Sequence, residues 1–349
     1  MKVLVIKLTS MGDVIHSLPA LTDAVNCLPQ VKFDYVVEES FQEIPLWHKS
    51  VDRVIPVATR RWRKRLLSSR SEIVTSYRHL KLKQYDVVID AQGLLKSAMI
   101  AKIAKGQRHG YDSQSIREPW ASKLYDVAHP VDFSEHAISR IRLLFAKALG
   151  YHNHDAFQEG FSELNYGIDV QNIAIKPQEV SAVTKFRQSS LPKLVFLHGT
   201  TWLSKEWSTE NWHALAKKLS STHKILLPWG TQSEQQRAND IASNISNAEV
   251  LPRLGLSSLA HVLNDADFVV SVDTGLGHLS AALSKPTISI YGPTDVNLIG
   301  TAGKNQIHLI AEKSGETVKK NEVFDYGSVD AQKVFETIMH TRQADKVNS

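Results

Sequence analysis

An acid, a hydroxyl, two glycines and a histidine stand together in Asp273-Thr274-Gly275-Leu276-Gly277-His278. Before them, the Val-rich run starting at Phe268 reads as a buried strand. After them, small residues through Leu283 read as a helix. A strand that feeds a helix through a glycine-containing loop gathers backbone N–H groups and the positive helix end at one point. That point favours an anion. Asp273, at the strand's end, is free to hold hydroxyls beside it. An acid for hydroxyls next to a helix end for phosphate suits a nucleotide-sugar. The same residues fit an ordinary strand-to-helix turn with a solvated aspartate, and His278 fits a helix cap as well as a phosphate contact. Both readings stay open at this level.

Other candidates lie in loops that follow apolar runs. Lys205 closes the loop Gly199-Thr200-Thr201-Trp202-Leu-Ser-Lys205, where it is either a phosphate contact or a surface lysine. Arg60, Arg61, Arg63, Lys64 and Arg65 place five cations in six residues around Trp62. Such a run is a solvated face or loop, or a receptor in which arginine forks hold carboxylate or phosphate. Arg70, Arg78, Lys81 and Lys83 extend it. Nucleic acid stays open as a partner, but the run has one Trp, no aromatic interleaving and no nucleic-acid motif, and on charge alone an anionic lipid head group fits equally well. Asp265-Ala-Asp267 has the spacing of a metal-binding acid pair, but it precedes a strand, at the end away from the ligand edge, and reads as a turn. Trp62 reads as a packing aromatic, and Cys27 as a small apolar residue.

These residues need elements to hold them. The chain has 349 residues, 42% of them apolar, enough for two α/β domains. The net charge is +5 and Cys27 is the one cysteine, which excludes a disulfide framework or a thiolate metal site and fits a reducing cytoplasm. Neither a signal peptide nor a bilayer-spanning apolar run is expected. Strands are expected at Val3–Lys7, Phe33–Val37, Arg53–Val57 and Val87–Asp90 in the first half. In the second half they are expected at Lys193–His198, Lys224–Pro228, Glu249–Pro252, from Phe268, and at Thr287–Tyr291. Helical or loop material separates them, as in parallel sheets. Composition turns polar after Tyr151, and the domain boundary is placed near 165. The loop Leu8-Thr-Ser-Met-Gly-Asp13 carries one glycine, not the three of a dinucleotide fingerprint, which disfavours a nicotinamide or flavin dehydrogenase.

Taken in order, several stretches resemble one family. They are Thr9-Ser-Met-Gly-Asp13 with the following His-Ser-Leu-Pro-Ala, Arg60-Arg-Trp-Arg-Lys64, Asp90-Ala-Gln-Gly, Leu227-Pro-Trp-Gly, Ser271 to His278, and Tyr291-Gly-Pro-Thr-Asp295. Each alone is weak, but together they resemble the bacterial ADP-heptose glycosyltransferases of lipopolysaccharide core assembly over almost the whole chain. The resemblance implies an α/β fold of two Rossmann-like domains facing across a cleft, the glycosyltransferase B type. Residues 1–165 would bind the acceptor and 166–349 the donor, with a C-terminal helix able to pack back on the first domain. It implies inverting transfer of L-glycero-D-manno-heptose from ADP-heptose to the Kdo of Kdo2-lipid A, with no metal and no cofactor. The enzyme would be cytoplasmic and peripheral on the inner membrane, with no nucleic-acid partner. Asp13 falls on the catalytic base position, and Lys205, with Thr200 and Thr201, on the diphosphate contacts. Glu234 falls on the ribose position, and Asp273, Thr274, Gly275 and His278 on the donor loop. Arg60, Arg61, Arg63, Lys64 and Arg117 fall on the acceptor side. Gly277 departs from the family's expected Ser. The rivals are the transferase that adds heptose to heptose, and a binding protein that releases the nucleotide-sugar unchanged.

Overall fold

The computed structural model describes residues 1–65, 68–312, 314 and 318–347. The chain divides into two compact units, Met1–Asn172 and Ile173–Ser349. The division falls later than the expected 165 because the following residues belong to the first unit's packing. Tyr166 and Val170 are buried, Ile168 bridges His48, and Gly167, at φ +62°, lies so close to the His48 ring that a Cβ there would stand 2.4 Å from it.

Each unit holds one six-stranded parallel sheet. In the first, the strands are β1 (Lys2–Ile6), β2 (Lys32–Glu38), β3 (Val51–Val57), β4 (Gln84–Asp90), β5 (Lys105–Tyr111) and β6 (Val127–His129), in the order β3-β2-β1-β4-β5-β6. In the second they are β7 (Lys193–Leu197), β8 (Lys224–Leu227), β9 (Ala248–Val250), β10 (Phe268–Val272), β11 (Thr287–Tyr291) and β12 (Gln306–Ile310), in the order β12-β11-β10-β7-β8-β9. Counted within its own unit, each sheet runs 3-2-1-4-5-6. That is the doubly wound order, which binds ligands beyond the strand ends where the winding reverses. The reversal falls between β1 and β4 in one unit and between β7 and β10 in the other.

The central strands are those with continuous apolar runs, since they are covered on both faces. Every residue of β10 and β11 is buried. Strands β5, β6 and β12 lie outside the sequence expectation. Lys-Gly-Gln-Arg-His-Gly-Tyr, with two glycines and two cations, shows neither an apolar run nor alternation, and β6 is a three-residue edge. Pro19 sits in the first turn of helix Leu18–Cys27, where its missing N–H costs nothing. Gly150, at φ +79°, ends helix Ala137–Leu149 in the left-handed conformation. The last helix, Ala331–Val347, places Val334 and Ile338 in the second unit's core. Among the described residues, no helix is long and apolar enough to cross a membrane.

Candidate active site

In the second unit, the loops after β7 and β10 meet at the reversal point. Lys205 ends a short turn, Leu203–Lys205, and its Nζ lies 2.6 Å from Asp273 Oδ2. Thr294, from the loop after β11, donates its hydroxyl to the same carboxylate oxygen. Thr200 donates its hydroxyl to the Asp273 backbone carbonyl at 3.2 Å. Asp273 is buried and the Lys205 side chain is 18% exposed, so the ammonium is held at the rim with an open side. Thr274 is the N-cap of helix Gly275–Ala282, whose first turn points its N–H groups into the same corner. Gly277 lies so close to β10 that a Cβ there would stand 2.6 Å from Ser271 Oγ. The departure from Ser thus sits at a close approach of helix and strand. His278 is buried within the helix.

Glu234 reaches this corner from another helix. It is the third residue of Gln232–Ala242, where its Oε2 accepts the N–H groups of Gly230 at 2.8 Å and Thr231 at 2.9 Å. Its carboxylate also closes on Gly199, where a Cβ would stand 2.6 Å from Oε1. Gly199 and Thr200 therefore lie between Glu234 and Asp273. Thr201 is exposed in that loop. Thr294 belongs to the stretch Tyr291-Gly-Pro-Thr-Asp295. Its part depends on a contact across 21 residues, which sequence spacing does not display.

In the first unit, the loops after β1 and β4 make the equivalent corner. Asp13 is the third residue of helix Met11–Ile15. Its Oδ2 accepts the Ser10 backbone N–H at 2.7 Å and the Ser10 hydroxyl at 2.8 Å. Its Oδ1 lies 3.5 Å from Lys7 Nζ, and the side chain is 40% exposed. Lys7 is buried and donates to the Ala91 carbonyl at 3.0 Å. Gln92 Oε1 accepts the N–H groups of Leu8 at 2.9 Å and Thr9 at 3.0 Å. Two residues outside the sequence assignment, Lys7 and Gln92, thus fix the loop that carries Asp13.

Asp90 has a different task. It is fully buried, and its carboxylate accepts from the N–H groups of Gln92 and Gly93 and the hydroxyls of Ser97 and Tyr125. Burial pushes its carboxyl above the usual range, against the pull of these donors. It shapes the turn that presents Gln92.

The basic run forms helix Thr59–Lys64. Trp62 is buried among Leu4, Ile6 and Val57, as expected of a packing aromatic. Buried Glu38, at the end of β2, accepts the N–H groups of Thr59 at 3.2 Å and Arg60 at 3.1 Å. Arg60, Arg63 and Lys64 project into solvent, and among the described residues no ion pair engages them. Arg61 differs. Its guanidinium is forked to Glu39 at 2.9 and 3.1 Å and to Glu72 at 2.7 and 2.9 Å, which raises its pKa and lowers that of Glu72. The acceptor role expected of Arg61 meets a side chain already paired with two carboxylates. Arg117 is exposed in the loop after β5.

Asp265 pairs with Arg187 at 2.6 Å, and Asp267 accepts the Lys193 N–H at 2.7 Å. Both carboxylates hold the chain at the opposite ends of the strands, as the turn reading expects. Among the described residues, no group of three or more His, Cys, Asp or Glu could hold a metal ion.

Two doubly wound sheets, with a lysine and a threonine-held acid at one reversal point and an aspartate beside a buried lysine at the other, suit group transfer from a nucleotide-sugar. The model of glycosyltransferase family 9 (heptosyltransferase) matches residues 73–326. Lipopolysaccharide heptosyltransferase 1 of Pseudomonas aeruginosa is 46% identical over 313 residues, covering 88% of this chain and 83% of that protein. The protein of the same name from Escherichia coli K12 is 46% identical over 311 residues, covering 88% and 92%. The solved structure of E. coli heptosyltransferase WaaC with ADP superposes with a TM-score of 0.85 at 43% identity, over 97% of this chain and 99% of that one. The chain belongs to glycosyltransferase family 9, the heptosyltransferases.

Proposed function

We propose that this chain transfers L-glycero-D-manno-heptose, with inversion, from ADP-heptose to the Kdo of Kdo2-lipid A, the first heptose of the lipopolysaccharide core. The observation that carries the reading is the Lys205–Asp273 contact at the reversal point of the second unit, 2.6 Å long and flanked by Thr200 and Thr294. Support comes from the structures of its relative, one with ADP and one, at 42% identity and a TM-score of 0.81, with ADP-2-deoxy-2-fluoro heptose. The first transfer is favoured over the second by identity. Four curated type 1 enzymes match at 46–47% over 88% of the chain and a fifth at 25% over 84%, whereas a curated type 2 enzyme matches at 27% over 26% of it.

The mechanism has to manage charge. The acceptor hydroxyl oxygen attacks the anomeric carbon from the face opposite the leaving group. The bond from that carbon to the diphosphate oxygen breaks, and its electron pair leaves with ADP. Lys205 and the first turn of helix Gly275–Ala282 meet the negative charge that grows there, in place of a metal ion. Asp13 takes the acceptor's proton. Glu234 holds the ribose, while Thr201 and His278 complete the donor contacts. The acceptor's carboxylates and phosphates meet Arg60, Arg63, Lys64 and Arg117, and the enzyme works peripherally at the cytoplasmic face of the inner membrane.

The test is product formation from ADP-heptose with Kdo2-lipid A as sole acceptor, with and without EDTA. Product in both supports the reading. Product only with an acceptor already bearing heptose would make this the second transferase. Release of unchanged ADP-heptose would make it a binding protein, and loss of activity on chelation, restored by Mg²⁺ or Mn²⁺, would contradict the metal-free mechanism.

A further inference from the structure

The first unit leaves a set of large apolar side chains in solvent on one stretch of surface. Helix Leu95–Ile103 turns Ala98, Ile100 and Ala101 inward. Its outer side keeps Leu95 46% and Met99 50% exposed. The turn Pro119–Leu124 packs beside this helix and buries Ala121, while Trp120 stands 71% exposed. Glu118 Oε2 accepts the Leu95 backbone N–H at 2.6 Å, which pins the two pieces together. Trp is highly buried on average, so an indole left this open calls for an explanation.

The polar residues around these three are of one sign. Lys96, Lys102, Arg117 and Lys123 are all exposed in the two segments. The one acid there, Glu118, is committed to the Leu95 N–H. Lys123 Nζ lies 4.0 Å from the centre of the Trp120 ring, so cation and aromatic share one spot. Protein–protein interface cores are depleted in lysine, and a face this basic repels a second copy of itself. An anionic bilayer suits both components. Indole rings settle at the head-group level, aliphatic side chains enter just below, and each lysine or arginine near an anionic surface adds to the attraction.

We propose that this face docks on an anionic lipid bilayer, with Leu95, Met99 and Trp120 entering the head-group layer and Lys96, Lys102, Arg117 and Lys123 meeting lipid phosphates. The proposal deepens the reading of a lipid-borne acceptor and rests on that reading for its purpose. The binding it predicts is independent of catalysis.

Sedimentation of the full chain with vesicles, in the absence of donor and acceptor, tests it. The chain is expected to bind vesicles of phosphatidylethanolamine with phosphatidylglycerol and to stay free of phosphatidylcholine alone. Met99→Ser with Trp120→Ala is expected to weaken that binding roughly tenfold or more, and Lys96→Glu with Lys123→Glu to remove its dependence on anionic lipid. These side chains are exposed, so circular dichroism and thermal melts should match wild type. Transfer to a detergent-solubilised acceptor is expected to persist in the Met99→Ser, Trp120→Ala variant. Failure of wild type to bind anionic vesicles, or undiminished binding by that variant, overturns the proposal. Self-association that the same variant abolishes would make the face a protein interface instead. If transfer fails while vesicle binding behaves as stated, the reading of the acceptor falls and the docking surface stands.

Discussion

Lys205 and Asp273, 68 residues apart, form a charge pair whose acid is also held by the Thr294 hydroxyl. A lysine alone in a loop would spread over many rotamers. Here the carboxylate fixes it at the mouth of helix Gly275–Ala282, where a diphosphate would arrive.

Lys205→Ala is therefore expected to lower kcat about 10²–10³-fold, the usual loss of one donor to a developing anion. Steady-state and single-turnover rates check it. The substitution also leaves a buried carboxylate without its cation, so Tm is expected to fall. Lys205→Arg keeps the charge and should recover most of the stability but only part of the rate. Near-normal turnover in Lys205→Ala would make the pair purely structural.

The basic helix offers an internal control. Arg61 is engaged by Glu39 and Glu72, whereas Arg60 and Arg63 face solvent. Arg60→Ala with Arg63→Ala is expected to raise the acceptor KM with little change in the ADP-heptose KM. Arg61→Ala is expected to raise the acceptor KM less than that pair does. Equal effects would mean that Arg61 leaves its carboxylates to meet the acceptor.

Part of this was legible in the residues alone. That Lys205, Asp273 and Asp13 lie just beyond strand ends follows from apolar runs that end in polar residues, because central parallel strands are buried on both faces, although Asp13 belongs to the short helix Met11–Ile15 rather than to a loop. The closeness of Lys205 to Asp273 does not, since it depends on strand order, which no local pattern encodes. The same holds for Lys7 and Gln92, which clamp the Asp13 loop from β1 and β4. The pairing of Arg61 needed Glu39 from the end of β2 and Glu72 from the next helix. The spacing in Arg60 to Arg65 shows five equivalent cations until Trp62 is known to face inward. Strand β5 shows no local strand pattern because its glycines and cations satisfy tertiary needs. Gly110, for one, leaves room for the Tyr125 ring, which a Cβ would approach to 2.2 Å.

His48 gives a pH prediction. Its Nδ1 accepts the Ser50 N–H at 3.2 Å, so Nε2 carries the proton and donates to Thr22 Oγ1 at 3.0 Å. Burial, aided by Lys49, lowers its pKa to about 4 from 6.5. Above pH 6.5 both folded and unfolded forms are neutral. Below it the unfolded chain takes up a proton and the folded chain does not, so stability is lost as pH falls from 6.5 toward 4. The loss is on the order of 3 kcal/mol from this group. An NMR titration is expected to place the His48 midpoint near 4. A midpoint near 6.5 would contradict the assignment.

Asp13 carries the central claim. Its Oδ2 caps the Ser10 N–H, while Oδ1 stands beside Lys7. Accepting the Ser10 N–H from the third helical position makes no demand for a base, and an amide oxygen fills that position as a carboxylate does. If the cap were the whole role, Asp13→Asn would fold and turn over like wild type. A general base contributes about 10²–10⁴-fold, so its removal with the cap retained should slow the chemical step by at least ~10². The deciding measurement is the single-turnover rate of Asp13→Asn with ADP-heptose and Kdo2-lipid A, on protein shown by calorimetry to bind ADP-heptose as wild type does. The account predicts intact donor binding with a rate reduced at least ~10²-fold. Intact binding with full turnover would contradict it and remove Asp13 from the mechanism.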